Sequence, residues 1–299
     1  MRPAGAAAGA PGDAPGGSAG GAAPRREPLL LIHGLGASKS VWDPVVPLLS
    51  REREVIALDL PGFGAAPPLP PGVEPTALAL AEALREQLAA RGIPRPHVAG
   101  NSLGAWVGLE LGRVGAARSV TCLSPAGLWR GPIGPSESRT REWARRLRPL
   151  VGLALRVPRL RRRALRTFSA HPDRVPAAAG RELVLHWIDA DGYEGANKAM
   201  REHIFEPEGY PPASEVPVTI AWAEHDQLVG PPKPERRPAG TRFLVMPDVG
   251  HTPMWDDPAL VVQVLLEGSA GPPARASDLS GSYEPLSSEA PQPDPGGAS

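Results

Sequence analysis

A chain of 299 residues can build one large hydrophobic core, and its single cysteine, Cys122, excludes an intrachain disulfide framework and fits a reducing cytoplasm. No run of 18 uncharged apolar residues exists and no leucine-rich stretch follows Arg2, so neither a membrane span nor a secretory signal is expected. Formal net charge is zero, yet the segment from Arg130 to Arg166 holds 12 arginines against only Glu137 and Glu142. No zinc-binding spacing or other nucleic-acid motif accompanies them, so a solvated helical face is expected there and no nucleic-acid partner.

Many of the 34 glycines and 39 prolines sit at the two ends. Segments 1–26 and 268–299 carry too little apolar surface to offset chain entropy and are expected to be disordered. Inside them, "PLLLIHG" (Pro28 to Gly34) is a short apolar run closed by glycine, which predicts a buried parallel strand. "SVWDPVVPLLS" comes next as a helix, and "REVIALDLPG" as a second strand. Residues Thr76 to Arg91 are rich in Ala, Leu and Glu and predict a helix closed by "RGIP". Then come the strand "PHVAG", the helix "LGAWVGLELGRVG" and the strand "RSVTCLSPAG", which buries Cys122 as a core residue. Strands alternating with helices of this length predict an α/β fold with a mostly parallel sheet flanked by helices.

The rhythm breaks after Gly127. Residues 128–212 hold helical patches rich in Arg, Leu and Ala and no convincing strand, so a helical insertion between two sheet strands is expected. Alternation resumes with "VPVTIAWAEHD" and "TRFLVMPDVGH" and ends with a helix from Pro258 to Glu267. The core thus comprises 27–127 and 213–267.

Ser102 lies where a predicted strand meets a predicted helix, within Gly100-Asn101-Ser102-Leu103-Gly104. Glycines two positions away on either side permit a sharp turn that holds a nucleophilic hydroxyl above the sheet edge. The hydroxyl needs a base. His251 in "PDVGHTPMWDDP" lies just past a strand end, where ligands gather in parallel sheets, whereas His171, His186 and His203 fall in the helical insertion. The base needs a carboxylate. Asp226 comes a short loop after the strand "VTIAWA", with Glu224 and Asp248 as alternatives. In "IHGLGASKSVW", Gly34 and Gly36 allow a tight, exposed backbone, so that the N–H groups of Leu35 and Leu103 form an oxyanion hole. His33 is placed to orient that loop by hydrogen bonds. Gly34-Leu35-Gly36 lacks the spacing of a dinucleotide or phosphate loop.

From these residues the chain resembles the α/β-hydrolase fold serine hydrolases over Pro28 to Glu267. The landmarks are "LLLIHGLGASKSVW", "VIALDLPGFG", "VAGNSLGAW", "AWAEHDQLV" and "DVGHTPMWDDP". The resemblance implies a triad of Ser102, Asp226 and His251, and a helical cap over 128–212 that shapes the pocket. Dehalogenases and epoxide hydrolases of this family carry aspartate at the elbow, where this chain has Ser102. "GNSLG" also resembles the meta-cleavage-product hydrolases, which cut carbon–carbon bonds in vinylogous diketones, but Ala105 and Trp106 depart from their second glycine and the position after it. Carboxylesterases, lipases, prolyl aminopeptidases and cofactor-free haloperoxidases share the same core.

The expected activity is hydrolysis of a small, apolar carboxylic ester through an acyl-enzyme, without metal or organic cofactor. Carbon–carbon hydrolysis with the same residues is the alternative, and a non-catalytic binding protein on the same scaffold a third reading. Trp106, Trp129, Trp143, Trp187, Trp222 and Trp255 are candidates for pocket wall or core.

Overall fold

The structure is a computed structural model that describes residues 27–134 and 139–270; the expectations for 1–26 and for the tail from 271 onward lie outside the described residues. Six strands form one sheet: β1 (Leu29–Ile32), β2 (Val55–Leu58), β3 (His97–Asn101), β4 (Val120–Leu123), β5 (Val218–Ala223) and β6 (Arg242–Met246). Their order is β2-β1-β3-β4-β5-β6 and every pairing is parallel, with Leu29 opposite both Val55 and His97.

Helices cover both faces, which is why the strands read as continuous apolar runs. Along β1, Leu30 and Ile32 face α2 (Ala77–Ala90) and α3 (Leu103–Arg113) in one core cluster. The alternate residues Leu29 and Leu31 pack on the opposite side with Trp42 and Leu49. Leu49 belongs to α1 (Val46–Leu49), and α10 (Pro258–Gly268) closes that side through Val261 and Leu265. Cys122 is fully buried, and burial pushes its thiol pKa up.

Helix α2 begins where the sequence predicts, because Thr76 accepts from the Ala79 amide at 3.1 Å and caps it. "SVWDPVVPLLS" behaves differently from its expectation. It splits into a 3-10 turn (Lys39–Trp42) and the four-residue α1, since Pro44 and Pro47 each remove a backbone donor from a continuous helix. The last helix runs one residue past its predicted end. Beyond it, Ser269 is buried and its Oγ donates to the Leu265 carbonyl at 2.5 Å.

Between β4 and β5 the chain forms α4 (Arg139–Arg146), α5 (Arg148–Ala154), α6 (Pro158–Leu165), α7 (Ala177–Asp189) and α8 (Tyr193–Glu202). A buried arginine ties three of them together. Arg141 on α4 donates to the carbonyls of Trp187 at 2.8 Å and Ala190 at 2.5 Å. It also reaches Glu194 at 2.8 Å and stacks over the Tyr193 ring, 4.5 Å from its centroid. α9 (Pro253–Asp256) precedes α10. Among the described residues no helix is long and apolar enough to cross a membrane.

Arg141→Ala is expected to destabilise the protein by about 2 kcal/mol, because two buried carbonyls lose a charged donor. Hydrogen exchange should rise in α4 and at the end of α7, and not in β1 or β3. Arg141→Lys should fail to restore protection, since one ammonium cannot span three acceptors on separate turns.

Candidate active site

The chain reverses its lateral direction at β1, whose neighbours β2 and β3 lie on opposite sides. Parallel sheets open a crevice beyond the strand ends at such a point. Gly34 lies just after β1 there, and Ser102 just after β3. Ser102 adopts φ 56° and ψ −118°, a conformation that costs a non-glycine residue roughly 1–3 kcal/mol. Its carbonyl accepts from the amides of Ala105, Trp106 and Ala126, and its own amide donates to Leu123, so the strained turn is fixed from both sides.

The flanking glycines are required by contact. A Cβ on Gly100 would lie 2.3 Å from the Gly104 carbonyl, and a Cβ on Gly104 would lie 2.3 Å from the Ile32 carbonyl. Both obstacles are backbone, so no side-chain rotation relieves them.

His251 sits in the loop after β6, and its Nδ1 donates to Asp226 Oδ2 at 2.7 Å. The carboxylate only accepts, so a ring proton lies on Nδ1 and Nε2 is turned away from Asp226. Asp226 Oδ1 accepts from the Leu228 and Val229 amides at 2.9 and 3.0 Å. Burial works against its charge, but the hydrogen bond and charge of His251, with those two amides, outweigh it and hold the carboxyl below its usual range.

The rival acids sit elsewhere. Asp248 is exposed and pairs with His171 and His225, and Glu224 accepts from the Asp248 amide. His186 and His203 pair with Glu182 and Glu74, and His97 with Ser119.

Gly34 to Ala37 form a turn closed by the Ala37 amide on the Gly34 carbonyl, with Gly36 at φ 74°. Leu35 stands second in that turn. Leu103 opens α3 directly after Ser102, where the first amides of a helix have no partner within it; its side chain is buried in the core.

His33 anchors the loop from below. Its Nδ1 donates to the Gly34 carbonyl at 2.8 Å, and its Nε2 accepts from the Leu60 amide at 2.9 Å. Only the neutral ring satisfies both. Full burial lowers its pKa to about 4, against the smaller raising effects of the Gly34 bond and the Asp59 charge. The 4.0 Å approach of Asp59 is therefore no ion pair.

Two positioning groups escape the sequence reading in whole or in part. Asn101, expected only to support the turn, donates through Nδ2 to the carbonyls of Leu123 at 3.1 Å and His251 at 2.8 Å. It thereby joins the serine turn to the histidine loop across 150 residues. Asp256 stands in the "DVGHTPMWDDP" landmark with no role that the sequence assigns to it. It is buried and accepts from Gly250, Ser169, Ala170 and His171, so it clamps the histidine loop to the segment after α6.

Ser102 and His251 line one cavity of about 1070 Å³, together with Gly34, Leu35, Gly36 and Asn101. Trp129, Trp187 and Trp255 contribute wall; Trp106 and Trp222 are core residues instead, and Trp143 is exposed. Arg130, Arg163, Arg201, Lys233 and Arg236 also line it, and among the described residues no Asp or Glu does. Among the described residues no cluster of three or more His, Cys, Asp or Glu is placed to hold a metal.

His33 is neutral when folded but takes a proton below about pH 6.5 when unfolded, so its contribution to stability is present above that pH and is lost as pH falls toward 4. The urea midpoint should drop between pH 7 and pH 4.5 by the equivalent of about 2 kcal/mol, with a shallower slope in His33→Gln. His97, also lowered to about 4 by burial and two arginines, adds a smaller share because it is only partly buried. Asp256→Ala should cost about 3 kcal/mol in thermal or urea unfolding, since it strands several buried donors, and Asp256→Asn should recover part of that loss.

Residues 29–264 match the family described as the alpha/beta hydrolase family. The chain is 32% identical over 200 residues to the epoxide hydrolase EphH of Mycobacterium tuberculosis, covering 62% of this chain and 91% of that protein. It is 28% identical over 239 residues to the dihydrolipoyllysine-residue acetyltransferase component of the acetoin cleaving system of Pseudomonas putida, covering 75% of this chain and 58% of that one. Among solved structures, a membrane phospholipase A superposes with a TM-score of 0.60 at 25% identity, over 83% of this chain and 81% of the other. The enol-lactonase from Burkholderia xenovorans LB400 superposes with a TM-score of 0.62 at 20% identity, over 81% and 91%, a likeness of fold. With its parallel sheet, its turn at Ser102 and this match across most of its length, the chain belongs to the alpha/beta hydrolase family.

Proposed function

We propose that this protein hydrolyses carboxylic esters through an acyl-enzyme on Ser102. The observation that carries the reading is the 2.7 Å bond from His251 Nδ1 to Asp226, beside a cavity that both His251 and the strained Ser102 line. In the reaction, His251 Nε2 takes the Ser102 proton as Oγ attacks the ester carbonyl. The carbonyl oxygen gains charge and is received by the amides of Leu35 and Leu103. Asp226 holds the imidazolium while it protonates the leaving alcohol; water then attacks the acyl carbon as its proton passes to His251, and His251 returns that proton to Ser102 Oγ as the acid leaves. Side chains, backbone and water suffice for every step.

Aromatic and aliphatic walls favour an apolar acyl or alcohol group. The relative named as an epoxide hydrolase supports hydrolysis on this scaffold. The elbow residue decides against that particular chemistry, because the resemblance puts aspartate there and this chain has serine. A second reading is favoured by one observation. Five cationic side chains and, among the described residues, no carboxylate line the cavity, as a substrate bearing its own carboxylate requires. Carbon–carbon hydrolysis of a vinylogous diketone acid would use the same triad.

A fluorophosphonate probe should label the wild type and not Ser102→Ala, and turnover of p-nitrophenyl butyrate should fall about 10⁴-fold or more in Ser102→Ala and in Asp226→Asn. Labelling that survives Ser102→Ala would move the nucleophile elsewhere. Faster turnover of a yellow meta-cleavage product than of any ester would establish the second reading over the first.

A further inference from the structure

We propose that the outer face of α4, α5 and α6 docks on an anionic lipid bilayer. Large apolar side chains are concentrated on these helices and point to solvent: Trp143 is 59% exposed, Leu150 62% and Leu153 58%, with Leu147, Val157 and Leu160 each near half. Leu150 and Leu153 lie three apart on α5, Leu147 and Val157 immediately precede α5 and α6, and Leu160 is on α6. Helix α5 buries none of its side chains. Large apolar side chains left in solvent at this density from Trp143 to Leu160 mark a candidate interaction surface.

Charge identifies the occupant. The expected solvated arginine face is only part of what these helices carry. Arg141 is spent on internal anchoring, and Arg145, Arg146, Arg148 and Arg162 reach Asp191, Glu142, Asp189 and Asp173. Arg156, Arg159 and Arg166 are exposed and meet no carboxylate among the described residues, and Arg163, exposed as well, lines the cavity. Guanidinium groups standing among protruding leucines match a surface that offers phosphate and hydrocarbon at adjacent depths, which is an anionic bilayer. A second copy of this face would set arginine against arginine, and a nucleic acid would supply phosphate with nothing for the leucines.

The face is continuous with the cavity mouth, because Ile133, Leu160 and Phe168 are exposed and also line the cavity that holds Ser102. A lipid ester leaving the bilayer therefore reaches Ser102 along an apolar rim; this last step alone rests on the serine-esterase reading.

The full chain should co-sediment with vesicles of phosphatidylglycerol and not with vesicles of phosphatidylcholine, and the binding should weaken at high salt. Arg156→Glu with Arg159→Glu, and separately Leu150→Ser with Leu153→Ser, should each lower the vesicle partition coefficient at least about tenfold. These four residues lie outside the cavity lining, so fluorophosphonate labelling and the melting temperature should match wild type. Labelling reports on the proposed chemistry and sedimentation on the docking face, so either can fail alone. Equal binding to both lipids, unchanged partition in either double variant, or binding to a DNA duplex in place of vesicles would overturn the proposal. So would a wild-type dimer that Leu150→Ser with Leu153→Ser dissociates, which would make the face a contact between copies.

Discussion

Everything at the site depends on how closely three pieces of backbone approach one another at the ends of β1 and β3. The turn at Ser102 requires α3 to leave β3 almost without a spacer. That geometry brings the Gly104 carbonyl to within 2.3 Å of where a Cβ on Gly100 would lie, and Gly104 itself against the end of β1. The absence of two methyl groups thus sets the position of the helix, the strain at Ser102 and the distance to the Gly34–Ala37 turn together. The strain is held by hydrogen bonds distributed over three segments, from Leu123 on one side and Ala105, Trp106 and Ala126 on the other. Relaxing Ser102 to an ordinary conformation would break several of these at once, which is how a local cost of a few kcal/mol persists in a folded protein.

Around that fixed point, neutral and charged groups divide the work. His33 is buried and uses both ring nitrogens to tie the Gly34–Ala37 turn to the chain after β2, a role that only an uncharged imidazole can fill. His251 uses one nitrogen on Asp226 and keeps the other free of that partner. The same residue type therefore serves as a strut in one place and, in the proposed reaction, as a base in the other. What separates them is the partner: an amide and a carbonyl for His33, a carboxylate for His251.

The parts of the site legible in the sequence are those set by local patterns. Ser102 is readable from glycine spacing at a strand–helix junction, and Asp226 and His251 from their places just after apolar strands. The illegible parts depend on packing between distant segments. Nothing local to Asn101 reveals that its amide reaches the His251 carbonyl, and nothing in "MWDDP" distinguishes the buried Asp256 from its neighbour Asp257, which caps α10. The tryptophans illustrate the same limit: the sequence offers six of its seven as candidates for wall or core, and only the three-dimensional arrangement selects Trp129, Trp187 and Trp255 for the wall. The broken helix at Val41 to Leu49 is a different case, because Pro44 and Pro47 are in plain view and their missing donors outweigh the apolar spacing.

Charge around the cavity is one-sided. Asp226 and Asp256 are the two buried carboxylates that hold the histidine loop, and neither lines the cavity; both stand behind His251. Negative charge thus stands behind the His251 ring, and among the described residues the cavity side carries cations and neutral groups and no carboxylate. Under the proposed mechanism, a carboxylate on the substrate side would compete with Asp226 for the imidazolium and repel the oxyanion beside Leu35. Arginines on the substrate side do neither, and they favour any ligand whose charge is negative. The same combination of guanidinium and hydrocarbon recurs among the exposed residues of α4 to α6, so the proposed docking surface and the cavity share one chemical character.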